Sequence, residues 1–317
     1  MGNYFLIYIM LIVLGAAAFI VLLTSLICFF KVFYFRNPGP LKEDEYDIPK
    51  GRIYEPYREK MVKWQKDLRA LPAKNYEIRS FDGLTLRAKF FECSPGAPVE
   101  LMFHGYQGNS ERDLCGGVFR AFALGHSVLL IDHRAGGASE GNIVTFGINE
   151  VRDCLRWIDL AVRELGDDIK LILTGVSMGA ATVMMASAED IPENVKYVLA
   201  DCGYSSAKEI IKKVIKDMRL PAALLYPFVK LGASIFGRFD LESNSPMEAV
   251  KKSRVPIIFF HGNADDFVPM EMSCRLYEAC KSEKKLVIIE GAGHGLAYPA
   301  DKETYLNAMK EFEENYL

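Results

Sequence analysis

Clustered basic charge is absent from this sequence. Its 38 Lys and Arg residues are scattered among 41 Asp and Glu residues, and the formal net charge at pH 7 is −3. Proteins that bind nucleic acid through its phosphates normally present a basic patch or stripe. We therefore predict no nucleic-acid partner.

Paired cysteine motifs are also absent. The seven cysteines are irregularly spaced and include no CxxC pair; they are Cys28, Cys93, Cys115, Cys154, Cys202, Cys274 and Cys280. This pattern favours neither a zinc site nor a disulfide framework, and we predict no metal and no cofactor. Free thiols in this number are more typical of a reducing compartment than of an oxidising one.

The first part of the chain lacks charge altogether. From Tyr4 to Phe30 no residue is charged, and most side chains are apolar. At about 1.5 Å per residue, a helix of this length exceeds the roughly 30 Å of hydrocarbon in a bilayer. We predict a single transmembrane anchor within residues 1–36.

A cleaved signal peptide is the alternative interpretation of this run. Signal peptides have basic residues before a shorter apolar core and a small-residue cleavage site after it. No Lys or Arg precedes the run, and its alanine cluster, residues 16–18, lies in the middle, so the anchor is favoured. Lys31, Arg36 and Lys42 follow the run, and the positive-inside tendency therefore predicts a cytoplasmic catalytic domain.

The segment after the anchor has the composition of a connection. Residues 37–56 are rich in Pro, Gly and charge, which predicts a linker that carries the catalytic domain away from the membrane. Met61, Trp64 and Leu68 then recur at helical spacing. We predict a linker and an amphipathic helix over residues 37–75, the helix either packing on the catalytic domain or lying along the lipid surface.

Residues 76–317 alternate short apolar strands with helical stretches. A hairpin that turns at Asp82-Gly83 opens this region. The predicted strands that follow are 99–105, 127–134, 169–175, 195–201, 255–262 and 285–291. Runs that are apolar on both faces and followed by helices require a parallel sheet covered on both sides. We predict an α/β fold with a mostly parallel, doubly wound sheet opened by an antiparallel hairpin.

One interval interrupts this alternation. The stretch between Asp201 and Val255 is too long for a simple crossover and contains several large apolar residues. We predict a small helical lid over approximately residues 204–250, with its apolar side toward the site it covers. An additional pair of core helices is the alternative.

Polar side chains collect at the carboxyl ends of the predicted strands, where open α/β sheets bind ligands. Four of the five histidines lie there: His104, His133, His261 and His294. The third parallel strand ends in Gly175-Val176-Ser177-Met178-Gly179, and a helix follows it. A glycine-flanked serine on a sharp strand-to-helix turn is typical of a nucleophile, because the turn exposes its hydroxyl.

A serine nucleophile requires a base and an acid. His294, in a glycine-rich loop after the last strand, is the candidate base. Asp265 and Asp266 end the penultimate strand, and position favours Asp265 as the acid over Asp266 and over Asp201. The backbone amides of Met178 and Tyr106 are the candidate oxyanion hole, and we expect His104 to hold the Tyr106 loop by hydrogen bonding.

Five motifs in register carry a family resemblance. The segments HGYQGN, DHRAGGASEG, GVSMGAA, HGNADDFVP and GAGHG, in that order, resemble the α/β-hydrolase superfamily, particularly its bacterial branch with an N-terminal membrane anchor. The resemblance covers residues 76–317 and includes the family's chain order Ser, Asp, His. One departure is Gly136, where relatives commonly carry a bulkier residue, often His.

These observations together predict a serine hydrolase. The expected reaction is hydrolysis of a carboxylic ester through an acyl-enzyme formed on Ser177, with His294 as base and Asp265 orienting it. The anchor and the apolar lid favour a lipid-like acyl substrate. A thioesterase or peptidase with the same triad, and a non-catalytic binding protein with this fold, are the alternatives.

Overall fold

Eight strands form one sheet at the centre of the molecule in a computed structural model, which describes residues 2–317. The strands are β1 (Lys74–Arg79), β2 (Thr85–Phe91), β3 (Val99–Phe103), β4 (Ser127–Ile131), β5 (Leu171–Val176), β6 (Val195–Asp201), β7 (Ile257–Gly262) and β8 (Lys284–Ile289). Their order across the sheet is β1-β2-β4-β3-β5-β6-β7-β8. The β1–β2 hairpin joins β4 antiparallel, and the pairs from β4 through β8 are parallel, which confirms the predicted fold class.

Helices cover both faces of the sheet. They are α1 (Gly2–Val32), α2 (Arg58–Ala70), α3 (Ser110–Ala123), α4 (Ile148–Leu165), α5 (Met178–Ala186), α6 (Ala207–Asp217), α7 (Ala222–Ile235), α8 (Pro246–Val250), α9 (Met270–Ala279), α10 (Ala297–Ala300) and α11 (Lys302–Tyr316). Apolar side chains of α4, α5, α8 and α9 form the core on one face, and those of α2, α3, α10 and α11 form it on the other. This two-sided burial explains why β3 and β4 are apolar at almost every position.

Helix α1 is long and apolar enough to cross a membrane. Its segment Tyr4–Val32 has a mean hydropathy of 3.0 in its most apolar window, and its side chains are exposed over most of that length. Its last turns are different, because Ser25 and Phe29 are buried against the rest of the chain. Phe33, directly after the helix, is fully buried, and its carbonyl accepts a hydrogen bond from the Val144 amide at 2.8 Å.

The segment predicted to be a separating linker is packed against the body of the protein. Asn37 Nδ2 donates hydrogen bonds of 3.0 Å to the carbonyls of Gly137 and Ser139. Ile48 and Tyr54 are buried, the latter in a 3₁₀ turn. The structure therefore differs from the expected linker, because these side chains gain apolar contacts and hydrogen bonds that the Pro- and Gly-rich composition concealed.

The amphipathic helix after this segment is α2. Met61, Trp64 and Leu68 are buried in the same core as α3, and a Cβ on Gly116 of α3 would lie 2.6 Å from the Trp64 ring. The sequence left open whether this helix packs on the catalytic domain or lies along the lipid surface. In the structure it packs on the catalytic domain. The interval between β6 and β7 contains α6, α7 and α8.

A buried polar cluster crosses the core between β3 and α3. The Glu100 carboxylate, which is fully buried, accepts hydrogen bonds from Arg120, from Thr174 at 2.8 Å and from His126 Nδ1 at 3.0 Å. On the other side of its ring, His126 Nε2 lies 3.6 Å from a Glu313 oxygen. The buried Arg120 guanidinium and the buried Glu100 carboxylate are therefore paired with each other, as burial of charges requires.

Candidate active site

Ser177 lies on a strained turn between β5 and α5. Its backbone has φ 55° and ψ −112°, a conformation that non-glycine residues rarely adopt, and its amide donates to the Asp201 carbonyl at 2.8 Å. A Cβ on Gly175 would lie 2.2 Å from the Gly179 backbone, and a Cβ on Gly179 would lie 2.0 Å from the Phe103 carbonyl oxygen. Both flanking glycines are thus required by the close approach of backbone segments.

His294 reaches Ser177 from the loop after β8. Its Nε2 lies 3.0 Å from Ser177 Oγ, and its Nδ1 lies 2.7 Å from Asp265 Oδ2. Gly291 and Gly295 flank this loop with φ values of 70° and 65°, which glycine adopts without strain. The Tyr54 hydroxyl donates to the His294 carbonyl at 2.9 Å, and the Phe267 ring contacts the imidazole edge at 5.0 Å between centroids.

Asp265 accepts four hydrogen bonds in this arrangement. The amides of Phe267 and Val268 donate to Oδ1 at 2.9 and 2.8 Å, while His294 and His261 approach Oδ2. Burial by itself raises the pKa of this carboxyl, but the hydrogen bonds from the two histidines lower it well below its usual range. An ionised carboxylate can only accept, so the proton of His294 is on Nδ1 and its Nε2 is free to accept from the Ser177 hydroxyl.

The other two carboxylates considered as the acid lie elsewhere. Asp266 is exposed. Asp201 Oδ2 is 3.1 Å from the Tyr305 hydroxyl, and burial raises the pKa of Asp201 to about 6. The structure therefore brings Asp265, and neither alternative, into contact with His294. The catalytic role of Asp265 remains a prediction.

Sequence reasoning missed the contact between His261 and Asp265. His261 Nε2 lies 2.9 Å from the Val268 carbonyl and 3.2 Å from Asp265 Oδ2, while Nδ1 lies 2.6 Å from Ser273 Oγ. Both neighbours of Nε2 are acceptors, so this nitrogen carries the proton and Nδ1 accepts from Ser273. His261 stands four residues before Asp265 at the end of the same strand, and this spacing is the sequence signal from which the contact could have been predicted.

The loop after β3 lies against Ser177. A Cβ on Gly105 would be 3.6 Å from Ser177 Cβ, and the Gly105 amide donates to Asp113 Oδ2 at 3.1 Å. Within residues 2–317, neither the Tyr106 amide nor the Met178 amide donates a hydrogen bond to another protein group. Both are thus available to an oxyanion, and Met178 begins a helix, whose amino end favours negative charge.

Buried His104 and half-buried Tyr106 support this loop. His104 Nδ1 lies 2.8 Å from the Gly105 carbonyl, and its Nε2 accepts from the His133 amide at 2.9 Å. A Cβ on Gly136 would lie 2.7 Å from His104 Nε2, which explains why no bulkier residue is present at this position. The Tyr106 hydroxyl donates to the Val32 carbonyl at the end of α1, with an oxygen–oxygen distance of 2.6 Å.

A pocket of about 460 Å³ opens onto this group of residues. Its walls include Ile53, Tyr54, Tyr106, Phe267 and Arg112, and Ser177 and His294 line it as well. Residues 49–54, which were predicted to be part of a linker between the anchor and the catalytic domain, form one side of this pocket. The pocket has apolar and polar walls, as small-molecule sites usually do.

The grouping of Cys202, Asp265 and His294 has metal-ligating atoms within 4.8 Å of one another. These donors do not suit a metal ion, because both His294 nitrogens already face Ser177 and Asp265. Burial also raises the pKa of the Cys202 thiol well above its usual value, which disfavours the thiolate that metals bind.

Comparison with known proteins bears on the fold. The sequence model of the family described as alpha/beta hydrolase fold matches residues 101–228, which include the end of β3, the Ser177 turn and the first half of α7. The structure has the α/β-hydrolase fold. Among solved structures, it is similar to the Pyrococcus furiosus esterase Pf2001, with a TM-score of 0.64, 19% identity, and coverage of 89% of this chain and 99% of that one.

Further matches come from another solved structure and from curated proteins. The α/β hydrolase GrgF from Penicillium sp. sh18 matches with a TM-score of 0.61 and 21% identity over 78% of this chain and 99% of that one. Two curated relatives are the uncharacterized protein YqkD of Bacillus subtilis, 28% identical over 61% of this chain, and the protein bem46 of Schizosaccharomyces pombe, 26% identical over 66%. The matches span 63% and 66% of the lengths of these two relatives.

Proposed function

We propose that this α/β hydrolase is a serine hydrolase that cleaves carboxylic esters. The observation that carries the proposal is the continuous hydrogen-bonded line from Asp265 through His294 to Ser177, with distances of 2.7 and 3.0 Å, on a strained turn beside a pocket. The fold it shares with the esterase Pf2001 is consistent with this chemistry.

Acylation begins when Ser177 Oγ attacks the ester carbonyl while its proton passes to His294 Nε2. The carbonyl π electrons move to the oxygen, and the Tyr106 and Met178 amides stabilise that oxyanion by about 3 kcal/mol each. Asp265, kept ionised by the hydrogen bonds it accepts, stabilises the imidazolium. Collapse of the tetrahedral intermediate expels the alcohol, which takes the proton from Nε2.

Deacylation repeats these steps with water. His294 removes a proton from a water molecule, and the hydroxide adds to the acyl carbonyl. The second intermediate expels Ser177 Oγ, which regains its proton from the imidazolium, and the carboxylic acid leaves. Each step uses the same oxyanion amides, so loss of one of them slows both halves of the reaction.

We also propose that α1 anchors the protein in a membrane and that its substrates are lipid-like acyl compounds. The anchor is supported by the apolar length of α1, and the burial of Ser25, Phe29 and Phe33 favours a retained helix over a cleaved signal peptide. Lys31 and Arg36 after the helix support a cytoplasmic catalytic domain. Protease protection on intact cells tests this topology, and cleavage of residues 76–317 from outside would contradict it.

A thioesterase or a peptidase with the same triad is the second candidate. One solved structure with this fold is an acylaminoacyl peptidase from Pyrococcus horikoshii, of which this chain covers 42% at 17% identity. Rates on matched ester, thioester and amide substrates with a common acyl group distinguish the three activities. We expect the ester to react fastest.

Covalent labelling tests the proposal that Ser177 is a nucleophile. A fluorophosphonate probe should label the wild-type protein and a Ser243→Ala control, whose hydroxyl is exposed and distant in sequence from the turn, but not Ser177→Ala. Thermal unfolding of all three proteins checks that they are folded. Equal labelling of Ser177→Ala and wild type would reject the serine hydrolase and favour a non-catalytic binding protein.

A further inference from the structure

An exposed apolar face extends from the end of α6 along α7. Met218 and Leu224 expose 64% and 62% of their surface, and Leu220 and Ile235 are also exposed. Beyond α1, the large exposed apolar side chains in residues 33–317 are otherwise single ones, such as Phe267 and Ile288. A cluster of this kind normally marks an interaction surface.

Helix α7 packs directly on the last turns of α1. A Cβ on Gly232 would lie 2.5 Å from the Ser25 carbonyl oxygen and 3.2 Å from Phe29 Cβ, so the two helix backbones approach closely. The rings of Phe236 and Phe29 are 6.0 Å apart between centroids. Since Gly232 and Phe236 face α1, the exposed Leu224 and Ile235 lie on another side of the same helix.

The position of this contact along α1 corresponds to a membrane boundary. Ser25 follows Tyr4 by 21 residues, or about 32 Å of helix, which is close to the thickness of the hydrocarbon core. Lys31 and Arg36 follow Ser25 by 6 and 11 residues. Side chains of α7 that are exposed beside Ser25 and Phe29 are therefore at the level where hydrocarbon gives way to lipid headgroups.

The same region carries excess positive charge. Residues 207–239 contain seven Lys or Arg and two acidic residues, in a chain with a net charge of −3. Lys216, Arg219 and Arg238 are exposed, and within the described residues none of them pairs with a carboxylate. Exposed cations beside exposed apolar side chains are typical of helices that lie in the surface of an anionic bilayer.

We propose that this α7 face, comprising Met218, Leu220, Leu224 and Ile235 with Lys216, Arg219 and Arg238, rests in the surface of the membrane that α1 crosses. Its apolar side chains contact acyl chains, and its cations contact the phosphates of anionic lipids. The inference rests on the proposed anchoring by α1. An anionic bilayer fits this face for two reasons: the face carries exposed cations, and it adjoins the helix that is proposed to cross the membrane.

Tryptophan quenching by lipids with brominated acyl chains tests the proposal in the full-length protein. The two native tryptophans, Trp64 and Trp157, are buried and contribute a constant background. Three single variants are compared in vesicles of phosphatidylcholine and phosphatidylglycerol: Phe19→Trp on α1, Leu224→Trp on the α7 face, and Ile288→Trp on β8. All three native residues are partly exposed, and unfolding transitions confirm that each variant is folded.

We expect strong quenching of Phe19→Trp and Leu224→Trp, at least about twofold above that of Ile288→Trp. Adding Lys216→Glu and Arg219→Glu to Leu224→Trp, or omitting phosphatidylglycerol, should reduce its quenching but leave that of Phe19→Trp unchanged. If Phe19→Trp is not quenched, the proposed anchoring fails. If Phe19→Trp is quenched while Leu224→Trp matches Ile288→Trp, anchoring holds and the α7 face is overturned as a lipid contact, which leaves a second copy of the chain to cover it.

Discussion

Two histidine–carboxylate pairs in this protein have nearly the same local geometry and different surroundings. His294 Nδ1 lies 2.7 Å from Asp265, and His126 Nδ1 lies 3.0 Å from Glu100. Beyond His294 is Ser177 on a strained turn beside a pocket, whereas beyond His126 is Glu313. A histidine–carboxylate pair is therefore not a site by itself. The group beside the second ring nitrogen, and the access of substrate to that group, decide what the histidine does.

Replacing the two histidines gives the largest expected contrast. His294→Ala should lower kcat/KM for an ester by about 10⁵-fold, because no other base within residues 2–317 bonds to Ser177 Oγ. His126→Ala should leave kcat per folded molecule unchanged but destabilise the protein, because Glu100 loses a buried partner. Ester hydrolysis and urea unfolding measure the two effects. If both variants lost activity to the same extent, the two histidine–carboxylate pairs would not differ in function.

Neutralising Asp265 and its neighbour Asp266 in turn tests which of these two carboxylates acts on His294. Asp265→Asn should lower kcat by about 10⁴-fold with little change in folding, because an amide no longer stabilises the imidazolium or fixes its tautomer. Asp266→Asn, at an exposed position, is the matched control and should retain wild-type kcat. If the two variants lose activity equally, Asp265 is not the acid.

Glu100→Gln should act on stability alone. Removing this charge leaves Arg120 buried beside a neutral amide, which costs about 3–5 kcal/mol in the free energy of unfolding. Urea unfolding at pH 7 measures the loss. The folded fraction of Glu100→Gln should keep the wild-type kcat. A large decrease in kcat would show that the Glu100 cluster contributes to catalysis.

The Glu100 cluster should also make the free energy of unfolding depend on pH. Burial alone would raise the pKa of Glu100, but the charges of Arg120 and His126 bring it down to about 2. Because the folded pKa is below the unfolded one, the carboxylate stabilises the fold fully above about pH 4.3, and this contribution is lost as pH falls toward 2. As the pH falls toward 2, the free energy of unfolding of Glu100→Gln should therefore decrease less steeply than that of the wild type. Equal slopes of the two curves would contradict the lowered pKa of Glu100.

The smallest expected effect concerns the Tyr106 side chain. Tyr106→Phe removes the hydrogen bond to the Val32 carbonyl but keeps the ring contact with Phe146. Loss of about 1 kcal/mol in positioning the oxyanion amide predicts a several-fold lower kcat with KM nearly unchanged. A change in KM alone would show that the hydroxyl affects binding and not the oxyanion.

Local patterns predicted most of the fold, since strands that are buried on both faces have a clear signature. The β1–β2 hairpin, the six strands after it and the serine turn all follow from short apolar runs and glycine positions. The chain order of Ser177, Asp265 and His294 predicted a grouping at the sheet edge, and these side chains lie within hydrogen-bonding distance of one another. Their roles await the experiments above.

The features that sequence reasoning missed depend on contacts between distant segments. Tyr54 bonds to His294 across 240 positions, and no local pattern in a Pro- and charge-rich stretch encodes that contact. The Glu100 cluster joins four elements and contains residue types that are normally exposed. The burial of Phe29 and Phe33 was concealed because their neighbours in an apolar run are equally apolar.

The joint between α1 and the rest of the chain has a practical consequence. Phe29 and Phe33 fill space between Phe236, Phe146 and Phe239, with ring centroids 5.2 to 6.1 Å apart. Removing residues 1–36 to obtain a water-soluble enzyme would open a cavity in the core and delete the acceptor of the Tyr106 hydroxyl. A soluble form that keeps its chemistry has to retain the chain from before Ser25, with polar residues substituted on the side of the helix that the body leaves uncovered.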